Sequence, residues 1–366
     1  MARQHLTEPT GVRTPADIAG AMCGTHAQIL SAAELSIALR IASADREDVR
    51  RALWEDRTLV KTFGPRGTVH LLPAIDLPMW TGALSGLPSS APQHPDPVRF
   101  TAEQAEEVLA AIDDALVDSE LTVDELTEAI VDRVGTWAGE KTMDAFQDKW
   151  PRWRQLTSTA AHRGVLCFGP LRGRLVTYTH PCRWLPGFRP DEPEEALETL
   201  VSKYLHAYGP STPAHFAKWL NVPSQLAIDL FARAEAVNFE GERAWVNPGD
   251  TTTPDEGPSG VRLLPYFDAF VVASQPRLRL FAGPAATRAL ARGQAGNYPV
   301  VLVDGVVGGV WHQRRTGSKI ALTVELLRTL TPSQRRALDD QVGLVGAVTQ
   351  ASPTLSLSPV TVGPHA

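Results

Sequence analysis

The sequence predicts an α+β protein of three tandem winged-helix domains followed by a β-barrel-like domain. Two observations carry this. A run of helices closed by a two-stranded wing recurs three times, and the last third of the chain turns β-rich. The expected boundaries are 12–90, 100–188 and 191–250 for the winged helices and 260–350 for the β-domain.

The first helix reads "TPADIAGAMC". Thr14 suits the N-cap, Pro15 the first helical position and Gly24 the exit. The second starts at "SAAE", where Ser31 and Glu34 have capping-box spacing, and runs apolar through Ile41. A third covers "DREDVRRALWEDR". "KTFGPRGTVHLLP" then reads as extended chain around a Gly-Pro turn. The second unit has helices at "LTVDELTEAIVDRV" and "DAFQDKWPRWRQLTSTAAHRG", then two strands in "VLCFGPLRGRLVTYTH". In the third, "EPEEALETLVSKYLHAYGP", "STPAHFAKWL" and "VPSQLAIDLFARAE" are helices, and "AVNFEGERAWVN" is a hairpin.

In the last third, "GVRLLPYFDAFVVAS", "RLRLFAG" and "YPVVLVDGVVGGVW" read as β-structure, and "SKIALTVELL" starts as a strand. "TPSQRRALDDQVGLVGAVTQ" is a closing helix. The Pro/Ser/Thr-rich tail after Ala351 reads as loosely ordered.

The 366 residues are 43% hydrophobic and 21% charged, a globular balance for two to four domains. No apolar run is long enough to span a bilayer. The N-terminal "MARQHLTEPTGVRTP" has no apolar signal core, so the expected location is the cytoplasm and no membrane partner is expected. Cys23, Cys167 and Cys182 have no metal-type spacing, nor do His162, His180, His206 and His215. No metal or other cofactor is expected.

The net charge of −6 argues mildly against nucleic acid, but its distribution argues the other way. Residues 149–190 hold eight Lys or Arg and no acid; residues 269–324 hold seven and one acid, Asp304. Such polarity suits phosphate binding, and chance clustering of surface arginine explains it equally well.

Four segments, "KTFGPRGTVHLLP", "AYGPSTPAHFAKWL", "LLPYFDAF" and "YPVVLVDGVVGGVW", resemble in order the landmarks of the AlkZ-like bacterial winged-helix DNA glycosylases, over roughly residues 12–345. The resemblance implies tandem winged helices and a C-terminal barrel curved into a C-shaped DNA channel. It implies a monofunctional glycosylase that removes N7-alkylated purines, including bulky adducts and crosslinks. The family's catalytic motif is Gln-apolar-Gln or Gln-apolar-Asp, and the matching position is His26-Ala27-Gln28. The His-apolar-Gln version is associated with relatives that protect producers of bulky guanine-alkylating genotoxins. A second departure is "AFVVASQPR", which lacks the acid usual just after the aspartate of "LLPYFD".

The chemistry accepts this triplet. An N7-alkylguanine already carries positive charge and leaves as a neutral base, so a general acid is dispensable. What is needed is a water held under C1′ and a stabilised oxocarbenium-like sugar. An amide carbonyl can orient water, and an imidazole can also accept its proton. On an extended connector, residues at i and i+2 share a side. His26 and Gln28 are therefore the expected catalytic residues. Read without the resemblance, they are polar residues satisfying a helix end. Lys61 is the only lysine before Lys141 and nothing marks it as a nucleophile, so no lyase step is expected.

Candidate DNA contacts are Arg66, Thr68 and His70 in "RGTVH", Arg172 and Arg174 at a wing tip, and Arg277, Arg279, Arg314 and Arg315 on the barrel side. Each has a plainer reading as a solvated or strand residue. Trp150 and Trp153 read as core, and Asp268 as a partner of an arginine or a strand-end cap. The expected partner is double-stranded DNA containing alkylated guanine, bound by a monomer. The rival is a non-catalytic winged-helix DNA-binding protein, either a regulator or a drug-sequestering factor.

Overall fold

The computed structural model describes residues 1–88, 98–144, 149–287 and 298–360. Internal contacts divide the chain into two compact units. One comprises residues 1–55, 201–219 and 223 onward; the other comprises residues 56–200 and 220–222.

The first unit opens with α1 (Pro15–Ala21), where Thr14 and Asp17 cap each other reciprocally and Pro15 occupies the first turn. A short extended stretch, β1 (Thr25–His26), follows. Next come α2 (Leu30–Ala38) and α3 (Arg46–Trp54), the latter capped by Asp45 and Asp48. The expected Ser31–Glu34 capping box does not form. α2 begins two residues earlier, with Ile29 at the N-cap and no side-chain cap. Glu34 is only 2% exposed, and its carboxylate is taken by the guanidinium groups of Arg46 (2.7 Å) and Arg50 (2.8 Å). Two charge-assisted pairs outweigh one bond to a backbone N–H.

The second unit begins with the antiparallel hairpin β2 (Leu59–Phe63) and β3 (Val69–Pro73), in which Thr62 faces His70. α4 (Leu77–Ser85) and α5 (Ala102–Leu116) follow, then β4 (Glu120–Thr122) and α6 (Val123–Val134), the last capped by Thr122 and Glu125. The helix expected over "DAFQDKWPRWRQLTSTAAHRG" forms only in its second part. β5 (Lys141–Asp144) and β6 (Lys149–Pro151) pair, and helical geometry resumes only after Pro151; residues 145–148 lie outside the described residues. Proline cannot sit inside a helix without losing a bond and clashing with the previous turn. α7 (Thr157–His162), β7 (Cys167–Phe168) and β8 (Thr177–Thr179) complete a sheet ordered β4-β8-β7. Its core centres on Trp153, fully buried, with the indole N–H donating to Thr127 Oγ1 at 2.8 Å. Trp150, by contrast, is exposed, under the Arg154 guanidinium.

α8 (Pro193–Tyr208) leads back to the first unit, followed by α9 (Pro213–Leu220) and α10 (Ser224–Leu230). Tyr204, Phe216, Trp219 and Phe231 form an aromatic core there. The expected hairpin is present as β9 (Glu235–Phe239) and β10 (Glu242–Val246), turning at Glu240 and Gly241, both with positive φ.

The C-terminal part departs from expectation in three ways. After β11 (Val261–Leu264), segments expected as strands are short helices, α11 (Ala269–Ala273) and α12 (Arg277–Leu280), and α13 (Pro284–Thr287) follows. Asp268 starts α11 by accepting the Phe270 N–H at 3.0 Å. Secondly, β12 (Val300–Val303), β13 (Val306–Thr316) and β14 (Lys319–Leu326) join an open sheet, not a closed barrel. In that sheet a Cβ at Gly309 would lie 2.2 Å from the Glu325 carbonyl oxygen, which accounts for the second glycine of the pair in "DGVVGGVW". Thirdly, the chain after α14 (Pro332–Val348) is not a loose tail. β15 (Ser352–Pro359) pairs in parallel with β14, giving the order β11-β12-β13-β14-β15. Alternating half-buried residues such as Pro353 and Leu355 supply the strand pattern that its Ser/Pro content disguises. Among the described residues, no helix is long and apolar enough to cross a membrane.

Candidate functional site

The triplet His26-Ala27-Gln28 lies on the connector between α1 and α2. Helix α1 ends as Cys23 and Gly24 take positive φ, and the Gly24 N–H returns to the Ala19 carbonyl at 2.9 Å. The chain then extends through Thr25 and His26 and bends at Gln28 before α2. His26 is 6% exposed and Gln28 is exposed. The two side chains, two positions apart on one connector, thus differ in exposure.

Several first-unit residues hold this connector. The Tyr208 hydroxyl donates to the Met22 carbonyl at 2.6 Å, and burial pushes the phenol well above its usual pKa, so it stays a donor. The Phe267 ring lies 6.3 Å from the His26 ring, centre to centre, tilted by 35°. Phe267 has a φ of 57°, unusual for a bulky residue, and is followed by Asp268. Asp268 is fully buried and accepts from Arg40 Nη1 and Nη2, both at 2.9 Å, and from Ser36 Oγ at 2.7 Å. The arginine partner of Asp268 is therefore Arg40, two residues past the end of α2. Arg40, Ser36, Tyr208 and Phe267 were not legible as site-supporting residues. The available signal was a single arginine in the apolar run "ALRIA", where a charge needs a buried partner.

In the second unit, Arg66, Thr68 and His70 share the β2–β3 hairpin. Arg66 sits at the turn with φ 60°. Thr68 Oγ1 donates to the Pro65 carbonyl at 3.0 Å. His70 is 3% exposed, with Nδ1 2.8 Å from the Thr68 carbonyl, and burial pushes its pKa down to about 4. The carbonyl can only accept, so Nδ1 carries the proton. Lys61, on β2, holds its ammonium 4.5 Å from the centre of the Phe168 ring, and burial lowers its pKa.

The other candidate cations differ in their commitments. Arg172 is paired with Glu125 at 2.7 Å and donates to the Glu120 carbonyl at 2.8 Å, whereas Arg174 is exposed at the tip of the loop between β7 and β8. Arg277 donates to the Val271 carbonyl and stacks on Phe281, and burial lowers its pKa. Arg279 pairs with Glu240 at 2.6 Å over the Phe239 ring. Arg315 donates to the Thr349 carbonyl at 2.7 Å, and Arg314 beside it on β13 is exposed. Arg288 and Arg292 lie outside the described residues.

The family model described as "DNA glycosylase AlkZ-like" matches residues 19–348. An interstrand DNA cross-link repair glycosylase of Streptomyces sahachiroi is 34% identical over 340 residues, 85% of each chain. The solved structure of Streptomyces sahachiroi DNA glycosylase AlkZ matches with a TM-score of 0.81 at 28% identity, over 98% of this chain and 96% of that one. The family match begins within α1 and so includes the His26–Gln28 connector, and its length rules out a shared single motif as the source. This chain belongs to the AlkZ-like DNA glycosylase family.

Proposed function

We propose that the protein is a monofunctional DNA glycosylase that hydrolyses the N-glycosidic bond of N7-alkylguanine, acting on bulky adducts and on crosslinks. Its cellular role is repair or self-resistance to a guanine-alkylating genotoxin. The observation that carries the reading is the imidazole of His26, buried on an extended stretch, where the resemblance to the family puts the catalytic triplet. A cationic base needs no protonation to depart. Water adds to C1′ as the C1′–N9 bond breaks, and the bonding electrons leave with a now neutral base. His26 takes the proton from the water, while the Gln28 carbonyl orients it.

The relative from Streptomyces sahachiroi is an interstrand DNA cross-link repair glycosylase, and the 34% identity over most of both chains supports extending crosslink repair to this protein. DNA contact is assigned to the exposed Arg174 and Arg314 first. Arg172, Arg277, Arg279 and Arg315, each engaged within the protein, act as secondary contacts or supports. The test is direct. Duplex DNA carrying small or bulky N7-alkylguanine is incubated with the protein and then treated with alkali. Strand breaks at the modified guanines are expected; breaks no more frequent than spontaneous depurination, with every adduct, would refute the enzymatic reading and favour a DNA-binding protein without catalysis.

A further inference from the structure

The landmark "LLPYFDAF" turns in a way that its own residues do not favour. The Asp268 N–H donates to the Pro265 carbonyl at 3.3 Å, which closes a four-residue turn. Phe267 holds the third position of that turn with a φ of 57°. Positive φ at this position suits glycine or asparagine, and a bulky side chain takes it only where its surroundings impose it.

The surroundings impose it from both flanks. Ahead of the turn, the Leu264 carbonyl accepts from the indole N–H of buried Trp311 at 2.9 Å. Behind it, Asp268 accepts from the Phe270 N–H, from Ser36 and from Arg40. Ser36 lies on α2, and that helix starts two residues after Gln28. The contacts therefore form a closed circuit. It runs from the His26 connector into α2, across the buried ion pair to the Phe267 turn, and back to the connector, where the Phe267 and His26 rings lie 6.3 Å apart. That separation is within the range of direct aromatic packing. Phe267 is half-buried, and the exposed Tyr266 ring lies 6.4 Å from it. What the unfavourable backbone secures is a ring beside the imidazole. A histidine ring turns readily about its last side-chain torsion, so a neighbouring ring restricts its aim. A general base acts only when it points at the proton it takes.

We infer that Phe267 is a positioning residue for base excision: held in its left-handed conformation by the Arg40–Asp268 pair, its ring fixes the direction of the His26 imidazole. This role rests on the reading of His26 as the catalytic base.

Phe267→Gly is the main variant, because glycine takes this φ without strain and only the ring is lost. Single-turnover excision from an N7-alkylguanine duplex and affinity for that duplex are measured on the full-length protein. The set is the wild type, Phe267→Gly, Phe267→Tyr, His26→Ala and the double variant His26→Ala with Phe267→Gly. Phe267→Gly should excise about ten- to a hundredfold more slowly, with affinity within about threefold of the wild type. Phe267→Tyr keeps the ring and should restore most of the rate. With His26 already removed, loss of the Phe267 ring should slow excision by less than about twofold, because residues that act as a unit are not additive. If Phe267→Gly loses its cooperative urea transition, Phe267→Asn takes its place, since asparagine also tolerates this φ.

Excision at the wild-type rate by Phe267→Gly, beside a slow His26→Ala, would overturn the positioning role and leave the reading of His26 intact. Equal slowing with and without His26, or a loss of affinity as large as the loss of rate, would also overturn it, because Phe267 would then act elsewhere than through the imidazole. A wild type that does not excise, or a His26→Ala that excises as fast, removes the catalytic reading of His26 and the positioning role with it.

Discussion

Arg40 and Asp268 are 228 positions apart in sequence and form a two-pronged ion pair with both side chains fully buried. The surroundings complete it: Arg40 Nε donates to the Gln4 carbonyl at 3.0 Å and Nη1 to the Ser36 carbonyl at 2.7 Å. A buried ion pair gains little over apolar packing, but removal of one partner strands the other charge. Asp268→Asn or Arg40→Met alone should therefore cost about 3–5 kcal/mol. The double variant Arg40→Met with Asp268→Leu should cost clearly less than the sum of the two single changes. Urea unfolding of the three variants and the wild type provides the cycle.

His70 gives a pH signature to the second unit. Its pKa is about 4 in the folded protein and near 6.5 unfolded, because burial disfavours the imidazolium. Below pH 6.5 the unfolded chain binds the proton and the folded one does not, so stability falls as pH falls and the loss is complete near pH 4. Between pH 7 and pH 5 this one group should remove about 2 kcal/mol. His70→Gln should weaken that dependence. Urea unfolding of both proteins at the two pH values measures the difference.

The two arginines of the β7–β8 loop should behave differently. Arg172 is held by Glu125, while Arg174 is exposed. Arg174→Ala should lower the salt slope of duplex binding by about 0.9. Arg172→Ala should lower it less. Anisotropy titrations over a salt series separate the two.

Lys61 should not form a Schiff base with the abasic product. Its ammonium is held over the Phe168 ring. Borohydride reduction during turnover should trap no covalent protein–DNA complex, and Lys61→Met should still excise the base.

Much of this molecule was legible because local rules and tertiary context agree. The Thr14 cap, the helices beginning near Asp45 and Thr331 and the Glu240-Gly241 hairpin follow from short-range stereochemistry. Failures arose where a distant partner decided the outcome. Glu34 abandoned its capping geometry for two arginines of α3, and the Ser/Pro-rich segment after Ala351 became a strand because β14 offered an edge. "FDAFVVAS" is apolar enough for either structure, and the Asp268 cap settled it as a helix. At the site, His26 and Gln28 stood out only through family resemblance. Arg40, Phe267 and Tyr208 were hidden because their role depends on contacts across 186 or more positions.

The central claim is that His26 performs chemistry and does not merely close a helix end. Single-turnover excision from an N7-alkylguanine duplex, measured beside duplex affinity for the wild type and His26→Ala, tests it most directly. A general base contributes roughly a hundred- to ten-thousand-fold. His26→Ala should therefore excise at least about a hundredfold more slowly while its affinity for the duplex stays within about threefold of wild type. An excision rate close to wild type, or a loss of binding as large as the loss of rate, would contradict the account.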